Sequence, residues 1–117
     1  MKAKRIRRAG LDPLESQIQE DIMRMLLLKK WLTKSTHGSI FQYGFPDIYA
    51  AHRSYGARWI EVKNPNGFSF TPAQLEFFPL LAAHGVGVWI LTSATEHEYE
   101  KLFCPANWYW FLGKSKL

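Results

Sequence analysis

A single cysteine, Cys104, is all that the 117 residues contain. No disulfide can form within one chain and no cysteine-based zinc site can be assembled, so a reducing, cytoplasmic setting is expected. Long apolar runs are also missing. The longest early one, Met25–Leu28, falls far short of the roughly 18–20 residues that a membrane span needs. Behind the basic N-terminus stand Asp12, Glu15, Glu20 and Asp21 rather than the apolar core of a signal peptide. No membrane partner is expected. No internal repeat is visible.

What is present suits one folded domain. Apolar residues make up 47% of the chain, with five Trp and eight Phe, enough for one core and unlike a disordered composition. The net charge is +5. Lys2, Lys4, Arg5, Arg7 and Arg8 carry five positive charges with no acid among them, leaving ten basic residues against ten acidic ones in the rest. The excess therefore sits in residues 1–10, a basic arm. Such an arm suits a polyanion, whose counterions Lys and Arg displace; a solubilising tail is the other reading.

Asp12-Pro13-Leu14-Glu15 reads as a helix start, with Asp as N-cap and Pro at the first position. Leu14, Ile18, Ile22, Met25 and Leu26 then repeat at helical spacing, predicting one buried stripe on a helix that fades near Lys30–Thr33. Ser35–Gly38 reads as a polar turn. Strands are expected at Ser39–Tyr43, Asp47–Ala51 and Arg58–Lys63, the last two forming a hairpin across Ser54-Tyr55-Gly56. Thr71-Pro72-Ala73-Gln74 has the pattern of a capping box, opening a helix that Gly85 ends. Val86–Leu91 reads as a buried strand. Ser93-Ala94-Thr95-Glu96 reads as another capping box, for a short helix to Phe103. Trp108–Leu112 reads as an aromatic strand or packing segment. The order predicts an α/β domain, a mixed sheet flanked by helices.

Three charges interrupt this apolar pattern. Glu61 and Lys63 share a strand face while Ile60 and Val62 point the other way, and Asp47 opens the neighbouring strand. Counted from Gly56, Asp47 lies about nine residues back and Glu61 about five forward, so close contact requires a slip or a bulge. Two carboxylates at a strand end offer the hard oxygen ligands that Mg²⁺ takes. A bound Mg²⁺ acts as a Lewis acid and acidifies a water, and a lysine beside it can orient or deprotonate that water or offset charge. The plainer reading is a same-face surface ion pair with Asp47 as a turn residue.

Gly44-Phe45-Pro46-Asp47, Ile60-Glu61-Val62-Lys63 and Thr71-Pro72-Ala73-Gln74 together resemble the PD-(D/E)XK nuclease superfamily, above all its VRR-NUC branch in the small, stand-alone, virus-type form. The resemblance spans about Leu14–Thr92. It implies a restriction-endonuclease-like αβββαβ core over residues 11–104, with residues 105–117 packed on the domain or at a dimer interface. It implies Asp47, Glu61 and the Val62 carbonyl as metal ligands, Lys63 as the catalytic lysine and Gln74 as a support from the helix start. It also implies a catalytic, metal-binding glutamate on the first helix, best matched by Glu15, with Glu20 pointing further round; Glu15 has a second reading as a capping acid. The cofactor would be Mg²⁺, with Mn²⁺ able to substitute. The setting would be the cytoplasm of a prokaryotic or phage-infected host cell.

The implied function is a Mg²⁺-dependent, structure-specific endonuclease hydrolysing phosphodiesters of branched DNA such as Holliday junctions. A non-catalytic nucleic-acid-binding module and a nicking or restriction-like nuclease are the alternatives. Lys34, Arg53 and Arg58 join the arm as candidate DNA contacts, or line a solvated sheet edge. His37 and His52 could touch phosphate or be plain surface residues, and His84 suits a helix end. As a strand, Trp108–Leu112 would turn Trp108, Trp110 and Leu112 to one side and Tyr109 and Phe111 to the other. One such face left exposed would serve a two-fold homodimer, the other reading being that the segment closes the monomer's own core.

Overall fold

The computed structural model describes residues 13–36 and 44–113. The basic arm, Asp12, His37 and the expected strand at Ser39–Tyr43 lie outside the described residues. Helix α1 spans Pro13–Leu28. Ile18, Ile22 and Leu26 are buried along it, but Leu14 is 43% exposed, so the stripe begins one turn later than its spacing suggests. The helix closes in a Schellman motif: Lys30 N–H donates to Leu27 O and Trp31 N–H to Leu26 O, with Lys30 in the left-handed region at φ 75°.

That tight ending sends the chain directly into β1, Leu32–Ser35, where the sequence suggested a fading helix and a turn. β1 occupies one edge of the sheet, and its LTKS sequence carries no apolar alternation to reveal it. It pairs antiparallel with β2, Ile48–His52, which pairs antiparallel with β3, Gly56–Val62. β3 pairs in parallel with β4, Val88–Leu91, giving a mixed four-stranded sheet in chain order.

The hairpin resolves the problem of register. His52 faces Gly56 and Ile48 faces Ile60, so the loop is Arg53-Ser54-Tyr55, centred on Ser54 rather than Gly56. Continuing that register by one pair sets Asp47 opposite Glu61. No slip or bulge is needed.

Helix α2, Pro72–Ala83, crosses from β3 to β4 and has the full capping box between Thr71 and Gln74. Gly85 follows at φ +81°. Helix α3, Glu96–Glu100, is capped by Thr95 rather than Ser93, because the Thr95 hydroxyl accepts the Glu98 N–H. A 3-10 turn continues it to Phe103. Trp108–Leu112 is helix α4, not a strand. The Asn107 amide pairs with both the N–H and the carbonyl of Ile90, occupying β4 edge groups that another strand would need. Helical spacing then buries Trp108 and Phe111 together and exposes Tyr109 and Trp110.

Two apolar clusters lie on the two sheet faces. Ile48, Ala50, Ile60, Val62 and Leu91 pack with α1 on one. Val88 and Ile90 pack with Phe78 of α2 and with Trp108 and Phe111 of α4 on the other. Strand alternation puts Glu61 on the α2 face.

Gly44, at φ +85°, holds the turn that delivers Asp47. A Cβ there would lie 2.8 Å from the Ala73 carbonyl oxygen and 3.1 Å from Phe77 Cβ. Gly44→Ala therefore loses about 1–2 kcal/mol to the left-handed backbone and more to the overlap. Urea unfolding measures this; a wild-type midpoint would show that the turn relaxes freely.

Candidate active site

The hairpin register, the end of β3 and the start of α2 meet at one point. Asp47, Glu61, Lys63 and Gln74 are all buried there, Glu61 at 3% exposure and Asp47 and Lys63 at 4%. Their burial rules out the reading of Glu61 and Lys63 as a surface pair.

Each group is held by hydrogen bonds whose origin is local. Asp47 Oδ2 accepts the Val62 N–H at 2.9 Å, so the aspartate just before β2 is tied to the end of β3. Lys63 Nζ donates to the Ser69 carbonyl at 2.8 Å and to Gln74 Oε1 at 3.0 Å, and stands 3.2 Å from Glu61 Oε2. These three acceptors match the three donors of an ammonium group. The same ammonium sits 4.6 Å from the centre of the Phe70 ring. Gln74 Nε2 donates to Glu61 Oε2 at 2.7 Å. Gln74 Oε1 also takes the Thr71 N–H, so one amide both caps α2 and joins the charged pair.

Glu61 is unlike its neighbours. Its second oxygen, Oε1, is buried with no hydrogen-bond partner. Burial, then the negative charge of Asp47, pushes its carboxyl up to about 8, against the opposing pull of Lys63 and Gln74. A buried carboxylate oxygen left without a donor, beside a second carboxylate, is the environment a hard divalent cation relieves.

Glu15 lies at the edge of this group. Its Oε2 accepts the Asn64 N–H at 3.0 Å, which brings the first turn of α1 to the end of β3. Glu20 is exposed. Of the two first-helix candidates, Glu15 bonds to the end of β3. Among the described residues, no three His, Cys, Asp or Glu side chains group to hold a metal ion. Asp47 and Glu61 thus form a pair, with Glu15 outside it.

The other candidates scatter. Lys34 is exposed on edge strand β1, Arg53 is exposed in the hairpin loop, and Arg58 is committed to the carbonyls of Leu102, Tyr55 and Ala57. Three buried polar residues, Thr36, Gln19 and Glu98, have no role in the sequence analysis. Thr36 donates its hydroxyl to the Pro46 carbonyl, bracing the peptide before Asp47, and nothing in its sequence setting marks it. Gln19 lies one helical turn after Glu15 on the same face, which was a usable signal, and its amide reaches Ser35 Oγ at 3.5 Å.

A solved structure described as a VRR_NUC domain superposes on this chain with a TM-score of 0.61 at 19% identity, covering 80% of this chain and 98% of its own. The fold is that of a VRR-NUC domain, a mixed sheet flanked by helices. No family model and no curated protein matches the sequence. No helix among the described residues is long and apolar enough to cross a membrane.

The raised Glu61 carboxyl has a thermodynamic consequence. Between the ordinary carboxylate range and about 8, the folded state holds a proton that the unfolded state has lost. That stabilisation is complete below the ordinary range and disappears as pH rises through about 8. Metal-free protein should therefore lose stability steadily over this interval, and Glu61→Gln should remove that slope. Urea midpoints against pH measure it; parallel curves for wild type and variant would count against the buried, proton-holding carboxyl.

Proposed function

We propose that this chain, with its VRR-NUC fold, is a Mg²⁺-dependent endodeoxyribonuclease whose substrates are branched DNAs such as Holliday junctions, with Mn²⁺ able to replace Mg²⁺. The observation that carries this reading is the buried Asp47–Glu61 pair with Glu61 Oε1 unpartnered beside Lys63. A protein that only binds DNA gains nothing from two carboxylates that repel phosphate.

Asp47, Glu61 and the Val62 carbonyl would hold the ion, with Glu15 next to them. Bound there, the ion supplies Lewis acidity to a phosphate oxygen and acidifies a water. The chain's own part is to aim and balance charge. Asp47 is aimed by the Val62 N–H and braced through Thr36, while Glu61 Oε2 is fixed by Gln74 and Lys63. With all three Lys63 donors matched, its role is to offset charge that develops on the phosphate rather than to take up a proton. Gln74 keeps that ammonium in place.

Two further features support DNA as the partner and a dimer as the working form. The arm, Lys2 to Arg8, supplies phosphate contacts, with Lys34 as an exposed cation on β1. Tyr109 at 74% and Trp110 at 61% exposure form the aromatic face of α4, and they replace Trp108, which is buried, as anchors of a two-fold homodimer. Two such sites would cut two strands of a junction symmetrically.

Cleavage of a four-way junction and of linear duplex, with and without Mg²⁺, tests the activity. Asp47→Ala and Glu61→Ala should abolish cutting while leaving binding intact or stronger. Lys63→Ala should lower the rate by about 10² or more, as loss of an electrostatic stabiliser does. Binding without any cutting by wild type would make the protein a binding module, and equal cutting of linear duplex would remove the branched substrate.

Deleting residues 1–8 should flatten the salt dependence of DNA binding, the slope shrinking by up to about 0.9 for each phosphate that the arm neutralises. An unchanged slope would reduce the arm to a solubilising tail. Sedimentation of wild type against the Tyr109→Ala, Trp110→Ala double variant tests assembly. A wild-type monomer at micromolar concentration with junction DNA bound would overturn the dimer.

A further inference from the structure

The turn end of the β2–β3 hairpin carries a groove of about 600 Å³ lined by Lys30, Trp31, Leu32, His52, Arg53 and Ser54. It lies apart from the carboxylate site in two respects. His52 is five residues along β2 from Asp47, about 17 Å at strand rise. It also shares the α1 face of the sheet with Ile48 and Ala50, whereas Glu61 faces α2.

The chemistry of this groove is cationic and aromatic. No acid lines it, and among the described residues neither Lys30 nor Arg53 has an ion-pair partner. Its floor is held rigid. Trp31 is buried, donates its indole N–H to the Tyr99 hydroxyl at 3.0 Å, and packs 5.2 Å from the His52 ring. His52 stacks on half-exposed Tyr55 at 4.4 Å. Its Nδ1 accepts the Ser54 N–H, leaving Nε2 as the ring's donor.

Lys30 is set apart from the other lining residues by its backbone. It occupies the left-handed position of the Schellman motif, where glycine is favoured, at φ 75°. A lysine there gives up stability for a charge, and strain of that kind concentrates at binding sites. The charge it provides lines the same groove as Arg53.

We propose that this groove is a second binding site for a nucleotide unit, its phosphate taken by Lys30 and Arg53 and its base lying against the Leu32–His52 wall. The unit comes either from a free nucleotide or from a nucleic-acid strand; both present the same phosphate and planar ring. The site stands independently of the carboxylate pair.

Titration of the full-length protein in chelator with AMP, a thymidine pentanucleotide and inorganic phosphate tests it, read by amide NMR shifts. Shifts should centre on residues 30–32 and 52–54, with AMP or the pentanucleotide binding more tightly than phosphate. AMP alone assigns a free nucleotide, and the pentanucleotide alone assigns a strand. Lys30→Gly and Arg53→Ala should each weaken binding about tenfold, as removal of one charge-assisted hydrogen bond does. Lys30→Gly should at the same time raise Tm, which separates weakened binding from weakened folding. Glu61→Gln should leave binding unchanged. Shifts centred elsewhere, phosphate binding as tightly as AMP, or unaltered binding by both groove variants would overturn the proposal.

Discussion

Placing Glu61 in the interior, next to Asp47 and with one oxygen unpartnered, works against folding, and the surrounding arrangement limits that cost. One partner is Lys63, two residues along the same strand face, whose ammonium balances a single negative charge. The other is the Gln74 amide. Between them they satisfy one carboxylate oxygen and leave the other. A core built for stability alone would fill this position with an apolar side chain, since replacing buried ion pairs by apolar packing is often neutral or stabilising.

Gln74 shows how a local signal acquires a tertiary role. Its place three residues after Thr71 is a helix-start pattern that depends only on neighbouring backbone. In the folded chain the same amide spans Thr71, Lys63 and Glu61. The start of α2 is thereby fixed to the end of β3. Asp47 and Glu15 make comparable ties, to Val62 and Asn64, so β2 and α1 converge on the same strand end. Asp47, Lys63, Gln74 and Glu15 each also close a piece of backbone, and Glu61 is held by the side chains among them.

Much of this was legible along the chain. The α2 capping box, the Gly85 stop and the hairpin depend on short-range chemistry and appear where their residues predict. The pairing of Asp47 with Glu61 was harder, because the centre of a three-residue loop sets the register and Gly56 proved to be its far side. β1 was missed because an edge strand needs no apolar alternation. The strand alternative for Trp108–Leu112 fails, although aromatic runs favour strands in general, because Asn107 occupies the β4 backbone at Ile90; the segment packs instead through Trp108 and Phe111.

Short-range chemistry along the chain fixes the pieces: an α/β order of elements, the strand face shared by Glu61 and Lys63, the capping of α2 and the concentration of positive charge in residues 1–10. Those properties follow from backbone period, turn chemistry and charge count, which act over a few residues. Packing across the fold sets Asp47 opposite Glu61, ties Glu15 to Asn64, commits Arg58 to carbonyls and turns Tyr109 and Trp110 outward. These depend on which partner is available across the fold to satisfy each buried polar group, and residues far apart in the chain supply that partner.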